Sequence, residues 1–400
     1  MSAPLRDPVV RRLVAAQTVS FCGSWMQRTA QSWMVLHVPG GGAAAMGVVL
    51  GLQYLPLLLF GLWTGALCDQ YPKHRVLTWA RGITALLGMG LAACAAHGAG
   101  ALVVYGFALV QGFVTAVERP ANESLLGEIV EARLLHGTLA LNGATFNVGR
   151  LTGPALAGVS LAQVGVPSTM LVSSALLLVA LPMLPRARRR SARDSGVTEE
   201  SASAGAVLRR VRCDSGLTGV LVLVALVTAF GLNFPITCAA MADGVFHRSA
   251  TSFGAGLTAL AVGALGGAFL SARLGRPRDG RRVAGAAAVF GALEAVCALA
   301  PTFAVFVLAL VVLGVSMAHF TASARSYVQH RVDDDIRGRV MGLYQMAAVG
   351  TTPLAAPLVG WISDALSPRA GLLVGGLVPV LCAAALAPRL DRATVSAGAG

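Results

Sequence analysis

Apolar runs long enough to cross a membrane dominate this sequence. A spanning helix needs about 20 predominantly apolar residues, because the hydrocarbon core of a bilayer is about 30 Å thick. Twelve such runs follow one another, at approximately 13–36, 44–67, 76–96, 101–121, 136–163, 166–185, 215–240, 252–273, 282–300, 302–324, 338–363 and 370–388. The pattern predicts an all-α membrane protein with twelve transmembrane helices in two six-helix bundles.

The composition agrees with this prediction. Only 12% of the residues are charged and 56% are hydrophobic, whereas about a quarter of a soluble domain is charged. The net charge of +13 would suggest nucleic-acid binding in a soluble protein, but here the basic residues lie in the loops of a membrane protein. The 7 cysteines are scattered without C-x-x-C spacing. We therefore expect no metal, no cofactor and no nucleic-acid partner.

The basic residues also predict the orientation. If both termini are cytoplasmic, most of the 31 Lys and Arg fall on the cytoplasmic side, including Lys73, Arg75 and Arg81 after the second run. Only Arg248 and Arg369 lie in loops on the opposite side. Lys and Arg are enriched in cytoplasmic loops, where they meet anionic lipid. We expect a multi-pass protein of the cytoplasmic (inner) cell membrane, embedded in the lipid bilayer as a monomer.

The chain divides in the middle. Residues 186–212 are charged and rich in Ser and Ala, without an apolar period, which is typical of a linker. They separate an N-terminal bundle, 1–185, from a C-terminal bundle, 213–400, that ends in a short tail. A weak repeat relates the two: Gly137 and Gly338, like Gly149 and Gly350, are 201 residues apart. Two six-helix halves related by a parallel repeat are a known transporter plan.

The first predicted helix carries a polar face. Its members lie three or four residues apart, so they share one side of the helix: Gln17, Ser20, Ser24, Gln27 and Gln31. Arg28 lies beside this face. A polar side of a spanning helix does not face lipid, and two interpretations remain open: it lines a water-filled cavity, or it holds neighbouring helices together.

Two further helices carry ionisable groups. Glu118 precedes Pro120 in the fourth, and Arg150 precedes Pro154 in the fifth. Glu118 and Arg150 could pair, either as a proton-sensitive pair or as a structural ion pair. The small residues at 149, 153 and 157 form a face that lets another helix approach closely.

Three polar groups stand alone in later helices. They are Asn233 before Pro235, Glu294 and His319. For each, either helix packing or a role in transport accounts for the residue. Asn233 and His319 join Gln27, Arg28 and Gln31 as candidates that line a central cavity.

The loop after the second helix, GALCDQYPKHRVL, resembles a signature of the major facilitator superfamily. The matching positions are Gly65, Leu67, Asp69, Lys73 and Leu77; Gln70, Pro72 and His74 depart from the family pattern. The resemblance implies a cytoplasmic gate, with Asp69 as its anchor.

The fifth helix resembles the antiporter motif of the same superfamily at Gly149, Gly153, Pro154 and Gly158, with Ala157 in place of a glycine. The fourth-helix motif of proton-coupled members is half present: Gln111-Gly112 fit, and Ala108 holds its arginine position. Further stretches, at 118–130, 141–158, 233–246 and 337–364, resemble the enterobactin-exporter-like and macrolide-efflux-like branch.

The resemblance implies a secondary active transporter. We expect a proton-coupled exporter of a small organic molecule, such as a drug, an antibiotic, a siderophore or another secondary metabolite, that works by alternating access. Uptake of a nutrient or siderophore and a transport-inactive membrane sensor are the alternatives. The sequence has no Gly-Lys-Ser/Thr phosphate loop and no G-x-S-x-G elbow, so we expect no enzymatic activity.

Overall fold

The computed structural model of the chain describes residues 6–130, 132–185, 204–274, 279–332 and 336–397. The first helix begins at a capping residue: the Asp7 side chain accepts a hydrogen bond from the Val9 amide and Pro8 is the first helical residue. Five helices make up the first part: α1 (Pro8–His37), α2 (Ala43–Gln70), α3 (Lys73–Ala96), α4 (Ala101–Ile129) and α5 (Ala132–Ala180).

Nine helices and one π-helical turn make up the second described part of the chain. They are α6 (Ala204–Cys213), α7 (Ser215–Gly231), α8 (Phe234–Ala240), the π-helical turn Met241–Val245, α9 (Ala250–Leu274), α10 (Gly280–Ala298), α11 (Phe303–Arg331), α12 (Arg337–Val349), α13 (Thr352–Ala365) and α14 (Pro368–Ala397).

Nine stretches in the described part of the chain are long and apolar enough to span a membrane. One of them, Gly137–Ala180, is 44 residues long and holds two spans, since one span needs only about 20 residues. The helices α1 and α10 supply the remaining two; the first carries the polar face and the second carries Arg281, Arg282 and Glu294. The prediction of twelve spans, six in each half of the chain, is confirmed.

Glycine and proline explain where predicted spans are divided. Within α5 only Gly165 leaves helical geometry, with φ of 76°, a conformation that favours glycine, and it separates the fifth span from the sixth. The seventh span breaks between α7 and α8, just before Pro235, because proline cannot donate a hydrogen bond to the preceding turn. The eleventh breaks between α12 and α13, just before Pro353. The fifth helix, in contrast, continues through Pro154.

Two helices extend beyond their predicted limits. The helix α4 continues eight residues past 121, the predicted end of the fourth span. Glu118 and Pro120 therefore lie well inside the helix and not at its end. The last residues of the predicted linker form α6, while 186–203 lie outside the described residues.

The chain forms two compact units. The first contains α1 to α5 together with Arg248–Thr258, which includes the start of α9; the second contains α6 to α8, the rest of α9, and α10 to α14. A core cluster of the first unit joins α1, α3 and α4, and its buried members are Leu13, Ala16, Leu77, Ala121, Leu125, Leu126 and Leu184. Large apolar side chains such as Leu102 and Leu354 are exposed, as expected for surfaces that face lipid.

Candidate functional site

The polar face of α1 lies inside the first unit. Gln17 is 1% exposed, and Gln27 and Gln31 are 0% exposed, while Arg28 beside them is half-buried. Amide groups removed from water need hydrogen-bond partners. The neighbouring helices α2, α3 and α4 supply several of them, but Ser20 Oγ, Gln27 Oε1 and Gln31 Nε2 are buried without a hydrogen-bond partner among the described residues.

A buried arginine ties three helices together. Arg81 of α3 is 1% exposed, and its Nε donates to Glu118 Oε1 of α4 at 3.2 Å. Its Nη2 donates to Gln17 of α1, and the Gln17 amide in turn donates to Asn122 of α4. The planar guanidinium presents donors in several directions, which lets one side chain bind both neighbouring helices. Its Nη1 is buried without a hydrogen-bond partner among the described residues.

This network corrects two expectations. Arg81 does not lie in a cytoplasmic loop, since α3 begins at Lys73 and places Arg81 in its third turn. The predicted pairing of Glu118 with Arg150 is wrong, because Arg81 of the adjacent helix α3 takes the carboxylate. Arg150 Nε is buried and has no hydrogen-bond partner in the described part of the chain.

Three glutamines form a second buried contact. Gln53 of α2 donates from Nε2 to Gln31 Oε1 of α1 and to Gln111 Oε1 of α4, each at 3.1 Å. Next to it, Gly112 permits close contact between α4 and α2, because a Cβ there would lie 2.8 Å from the carbonyl oxygens of Leu52 and Gln53. The Gln111-Gly112 pair therefore joins α4 to α2.

Gln27 supplies a third contact, to α3. Its Nε2 donates to the Thr84 carbonyl at 3.2 Å. In this structure the glutamine face of α1 therefore makes interhelical hydrogen bonds, which is the arrangement expected if it holds helices together. A cavity-lining role for Gln27, Arg28 and Gln31 remains a prediction.

The small-residue face of α5 packs directly against α1. A Cβ added to Gly149 would lie 2.5 Å from Phe21 Cβ, and one added to Gly153 would lie 2.5 Å from Trp25 Cβ. Neither position has room for a side chain. The first two glycines of the antiporter-like motif therefore set the distance between α1 and α5.

The last glycine of the motif contacts a different helix of the same unit. A Cβ on Gly158 would lie 3.2 Å from the Gly254 Cα of α9, and one on Gly254 would lie 2.5 Å from the Pro154 carbonyl. The Thr251 hydroxyl donates to the Gly158 carbonyl at 3.2 Å. Pro154 and Gly158 thus pack against the beginning of α9.

The gate signature is described only in part. The side chains of Gly65, Leu67 and Asp69 lie outside the described residues. Lys73 is buried at the start of α3, and Leu77 is fully buried in the core cluster. A gating role for this loop stays a prediction.

The two candidates of the second unit make local contacts. Asn233 is buried in the break between α7 and α8, and its amide donates to the Ala229 and Phe230 carbonyls at 2.6 and 3.3 Å. It thereby satisfies carbonyls that the ended helix leaves without partners. His319 Nδ1 of α11 lies 3.1 Å from the Ser271 hydroxyl of α9.

Sequence reasoning missed three members of the buried networks: Arg81, Gln53 and Asn122. For Arg81 a signal was present, because residue 81 falls inside the third apolar run, 76–96, and a charge within a spanning helix needs an internal partner. The contacts of Gln53 and Asn122 depend on which helices are neighbours, and no local pattern gives that.

A chain of twelve spanning helices, with glycine-mediated helix crossings and buried interhelical polar networks, has the architecture of a multi-pass membrane transporter of the major facilitator type. The model of the transmembrane secretion effector family matches residues 1–396. The chain belongs to this family, and such a transporter acts on a small-molecule substrate.

Curated relatives cover nearly the whole chain. A Staphyloferrin A transporter of Staphylococcus aureus is 22% identical over 86% of this chain and 87% of its own length. The multidrug efflux pump Tap of Mycobacterium tuberculosis is 27% identical over 94% and 92%. The Tap pump of Mycolicibacterium fortuitum is 28% identical over 98% of both chains.

Solved structures share the fold. A bacterial homologue of the human lysosomal transporter Spinster has a TM-score of 0.78 at 12% identity, covering 97% of this chain and 98% of that one. A bacterial homologue of the iron transporter ferroportin has a TM-score of 0.71 at 15% identity, covering 96% and 98%. The resemblance to the major facilitator superfamily found in the sequence is thus confirmed.

Proposed function

We propose that this protein exports a small, amphipathic organic molecule from the cytoplasm in exchange for protons. It would act as a monomer in the inner membrane, with both termini cytoplasmic and without enzymatic activity. The observation that carries the proposal is the ion pair between Arg81 and Glu118, which links α3 to α4 and, through Gln17, to α1. A proton on Glu118 would remove the charge on which this link depends.

The exposure of the two partners differs in a way that suits a proton switch. The side chain of Glu118 is 24% exposed, whereas that of Arg81 is 1% exposed. Glu118 is therefore the partner that a proton from water can reach. Its protonation would leave the guanidinium with Gln17 alone, and a buried cation without its counter-charge is strongly unfavourable. Helices α1, α3 and α4 would then rearrange, which is the kind of step that alternating access requires.

The direction of transport is inferred from the family and its relatives. The family is described as secretion effectors, and the Tap relatives are named multidrug efflux pumps. The α5 glycines that pack against α1 occupy the antiporter-like motif, which supports export. Uptake is the second candidate, because the Staphyloferrin A transporter carries a name without a stated direction.

The energy available from protons is sufficient. One charge that crosses 100 mV supplies about 2.3 kcal/mol. Since 1.4 kcal/mol corresponds to a factor of ten, one proton can support roughly fiftyfold concentration of the substrate.

Transport of ethidium by the purified protein in liposomes tests the proposal. We expect a proton gradient to drive ethidium against its own gradient in the direction opposite to proton flow. Glu118→Gln keeps an acceptor for Arg81 but cannot release a proton, so this variant should lose the pH dependence and remain folded. The exposed residue Glu123 provides the control variant, Glu123→Gln, which should transport normally.

Three results would contradict the proposal in different ways. Normal proton coupling in Glu118→Gln would remove this carboxylate from the mechanism. Cotransport of ethidium with protons would favour uptake. Ethidium binding without any movement across the membrane would favour a sensor.

A further inference from the structure

Glu294 is a fully buried carboxyl group in the second unit. It lies on α10, is 1% exposed, and its Oε2 has no hydrogen-bond partner among the described residues. The structure gives it no ion pair within those residues. A charged side chain at the centre of a bilayer costs about 2.5–3.5 kcal/mol on insertion scales. In this packing the neutral acid is therefore the favoured form.

Glycines of two neighbouring helices form a cradle around this carboxyl group. A Cβ on Gly231 of α7 would lie 3.0 Å from Glu294 Oε2, and one on Gly375 of α14 would lie 2.6 Å from Oε1. Each carboxyl oxygen thus lies against a glycine, where an added side chain would displace it.

Helices α10 and α14 are in direct backbone contact beside the cradle. A Cβ on Gly376 of α14 would lie 2.5 Å from both the Gly291 carbonyl oxygen and the Ala295 amide nitrogen of α10. Backbones in direct contact create a surrounding of low polarity, in which an unpaired carboxylate is unfavourable.

Acceptors for an acid proton lie beside the cradle. The helix α7 ends at Gly231, and Pro235 cannot donate to the Gly231 carbonyl. A Cβ built on Gly375 would lie 3.1 Å from the Phe230 carbonyl oxygen and 2.6 Å from Glu294 Oε1, so both oxygens lie beside the same position. Carbonyl oxygens accept a hydrogen bond from a carboxylic acid and repel a carboxylate. The Phe230 carbonyl oxygen, which also accepts from the Asn233 amide at 3.3 Å, therefore disfavours the charged carboxylate by its proximity.

In the part of the chain that the structure describes, the titratable groups around Glu294 provide no compensating charge. Cys238 of α8 and Cys297 of α10 lie close enough to interact electrostatically with it, but a thiol is uncharged. No residue from Ser215 to Gly231 in α7 is ionisable. Arg369 of α14 donates to the Ala298 and Ala300 carbonyls at 2.8 and 3.0 Å.

The neighbouring helix α11 carries a titratable group, His319, next to Phe320 in the chain, and the Phe320 ring stacks on Phe290 of α10. His319 is hydrogen-bonded to Ser271 of α9. Within the described residues, the electrostatic environment of Glu294 is thus that of a carboxyl group kept neutral by its packing.

We propose that Glu294 is a proton-binding site of the transport cycle. The packing of α7, α10 and α14 holds it as the neutral acid, and separation of these helices admits water and releases the proton. The inference rests on the proposed proton-driven export and adds a second proton site, in the second unit, to Glu118 in the first. A carboxylic acid with a permanent structural role is the rival that the experiment must exclude.

Two measurements on the full-length protein in liposomes test this proposal. The first compares Glu294→Gln with wild type in proton-driven ethidium transport and in ethidium counterflow, which needs no proton gradient. Glutamine keeps the size and the donor of the acid but releases no proton. We expect counterflow to remain, while the roughly fiftyfold concentration that one proton can drive at 100 mV is lost. The control, Glu123→Gln, should retain both activities.

The second measurement observes the proton directly. Infrared spectra of the protein between acid and alkaline pH should contain the carbonyl stretch of a protonated carboxylic acid, which Glu294→Gln lacks and Glu123→Gln keeps. Glu294→Asp, which should shift this band, replaces the glutamine variant if the latter does not fold.

The outcomes separate the two proposals. Proton-driven transport of normal strength in Glu294→Gln, or an unchanged infrared band, would overturn the role of Glu294. Failure of the wild type to move ethidium in either assay would overturn the proposed function. In that case the infrared band and its pH titration would still decide whether Glu294 binds a proton.

Discussion

Arg81 of α3 and Glu118 of α4 form a 3.2 Å ion pair in which the acid is partly exposed and the arginine is buried. The exposed fraction of the Glu118 side chain is 24%, against 1% for Arg81. Removal of one partner leaves the other with its desolvation cost. Since Glu118 can recover hydration and Arg81 cannot, the two single substitutions should have unequal effects on stability.

We predict that Glu118→Leu lowers the free energy of unfolding more than Arg81→Met does. Loss of one partner of a buried pair costs about 3–5 kcal/mol, and we expect Glu118→Leu near the lower end of that range, because the pair is partly exposed. The double variant should be more stable than Glu118→Leu alone. Thermal unfolding of the purified protein in detergent measures these differences, with Arg282→Met at an exposed site as control. Equal losses in both single variants would show that the acid is as dependent on the pair as the arginine.

The contact between α1 and α5 predicts a position-specific effect of size. Gly153→Val should destabilise the protein and abolish transport, because its side chain would collide with Trp25; overpacking typically costs about 1–3 kcal/mol. Gly143 lies on the same helix, is exposed and has open space around its Cα, so Gly143→Val is a matched control. The measurements are thermal unfolding of the purified protein in detergent and ethidium transport in liposomes. Equal damage at both positions would point to helix propensity and not to the contact with α1.

Asp214 predicts an acid-dependent loss of stability. It caps α7 through the Gly216 and Leu217 amides and accepts from Arg331 Nε at 2.8 Å. Burial acts to raise the pKa of Asp214, but the Arg331 hydrogen bond and charge and the two backbone hydrogen bonds outweigh it, so the pKa lies below the unperturbed 3.8. A group with a lowered pKa in the folded state contributes stability above its unfolded pKa and loses it as the pH falls through the folded value.

The test for Asp214 uses two substitutions. Asp214→Asn keeps a capping side chain but loses the charge, and should reduce stability at neutral pH by about 1.5–3 kcal/mol, the range for hydrogen bonds to charged groups, and flatten its decline below pH 3.8. Asp214→Ala should lose about 1 kcal/mol more, the usual value of an N-cap. Unfolding in detergent from neutral to acid pH gives both quantities. An unaltered acid profile in Asp214→Asn would show that another group governs it.

Length and periodicity made the spans predictable from the sequence, because the bilayer imposes a minimum run of apolar residues on any spanning helix. The gap between the predicted fifth and sixth spans, at 164–165, contains Gly165, whereas the break before Pro235 falls inside the predicted seventh span, 215–240. The partner of Glu118 was not predictable, because the choice between Arg81 and Arg150 depends on which helix packs beside α4. The helical position of Arg81, in contrast, could have been predicted, because residue 81 falls inside the third apolar run, 76–96.

The glutamine contact between α1, α2 and α4 separates the two interpretations of the polar face. Gln53 donates to both Gln31 and Gln111, so Gln53→Leu leaves two acceptors without a partner. Each unsatisfied buried group costs about 1–3 kcal/mol, whereas replacing all partners by apolar groups of similar shape can be nearly neutral. We therefore predict that Gln53→Leu destabilises the protein, and that Leu at positions 31, 53 and 111 together restores much of the stability.

Transport by the triple variant then decides what the face does. If the glutamines only join helices, ethidium transport should recover together with stability. If the face also meets water or substrate in another state of the cycle, the triple variant should be stable and inactive, because an apolar surface cannot hydrate a pathway. We expect the first result, since Gln31 is fully buried and its Oε1 accepts a hydrogen bond from Gln53 of the neighbouring helix. A stable protein that does not transport would contradict this expectation and assign the face to the substrate pathway.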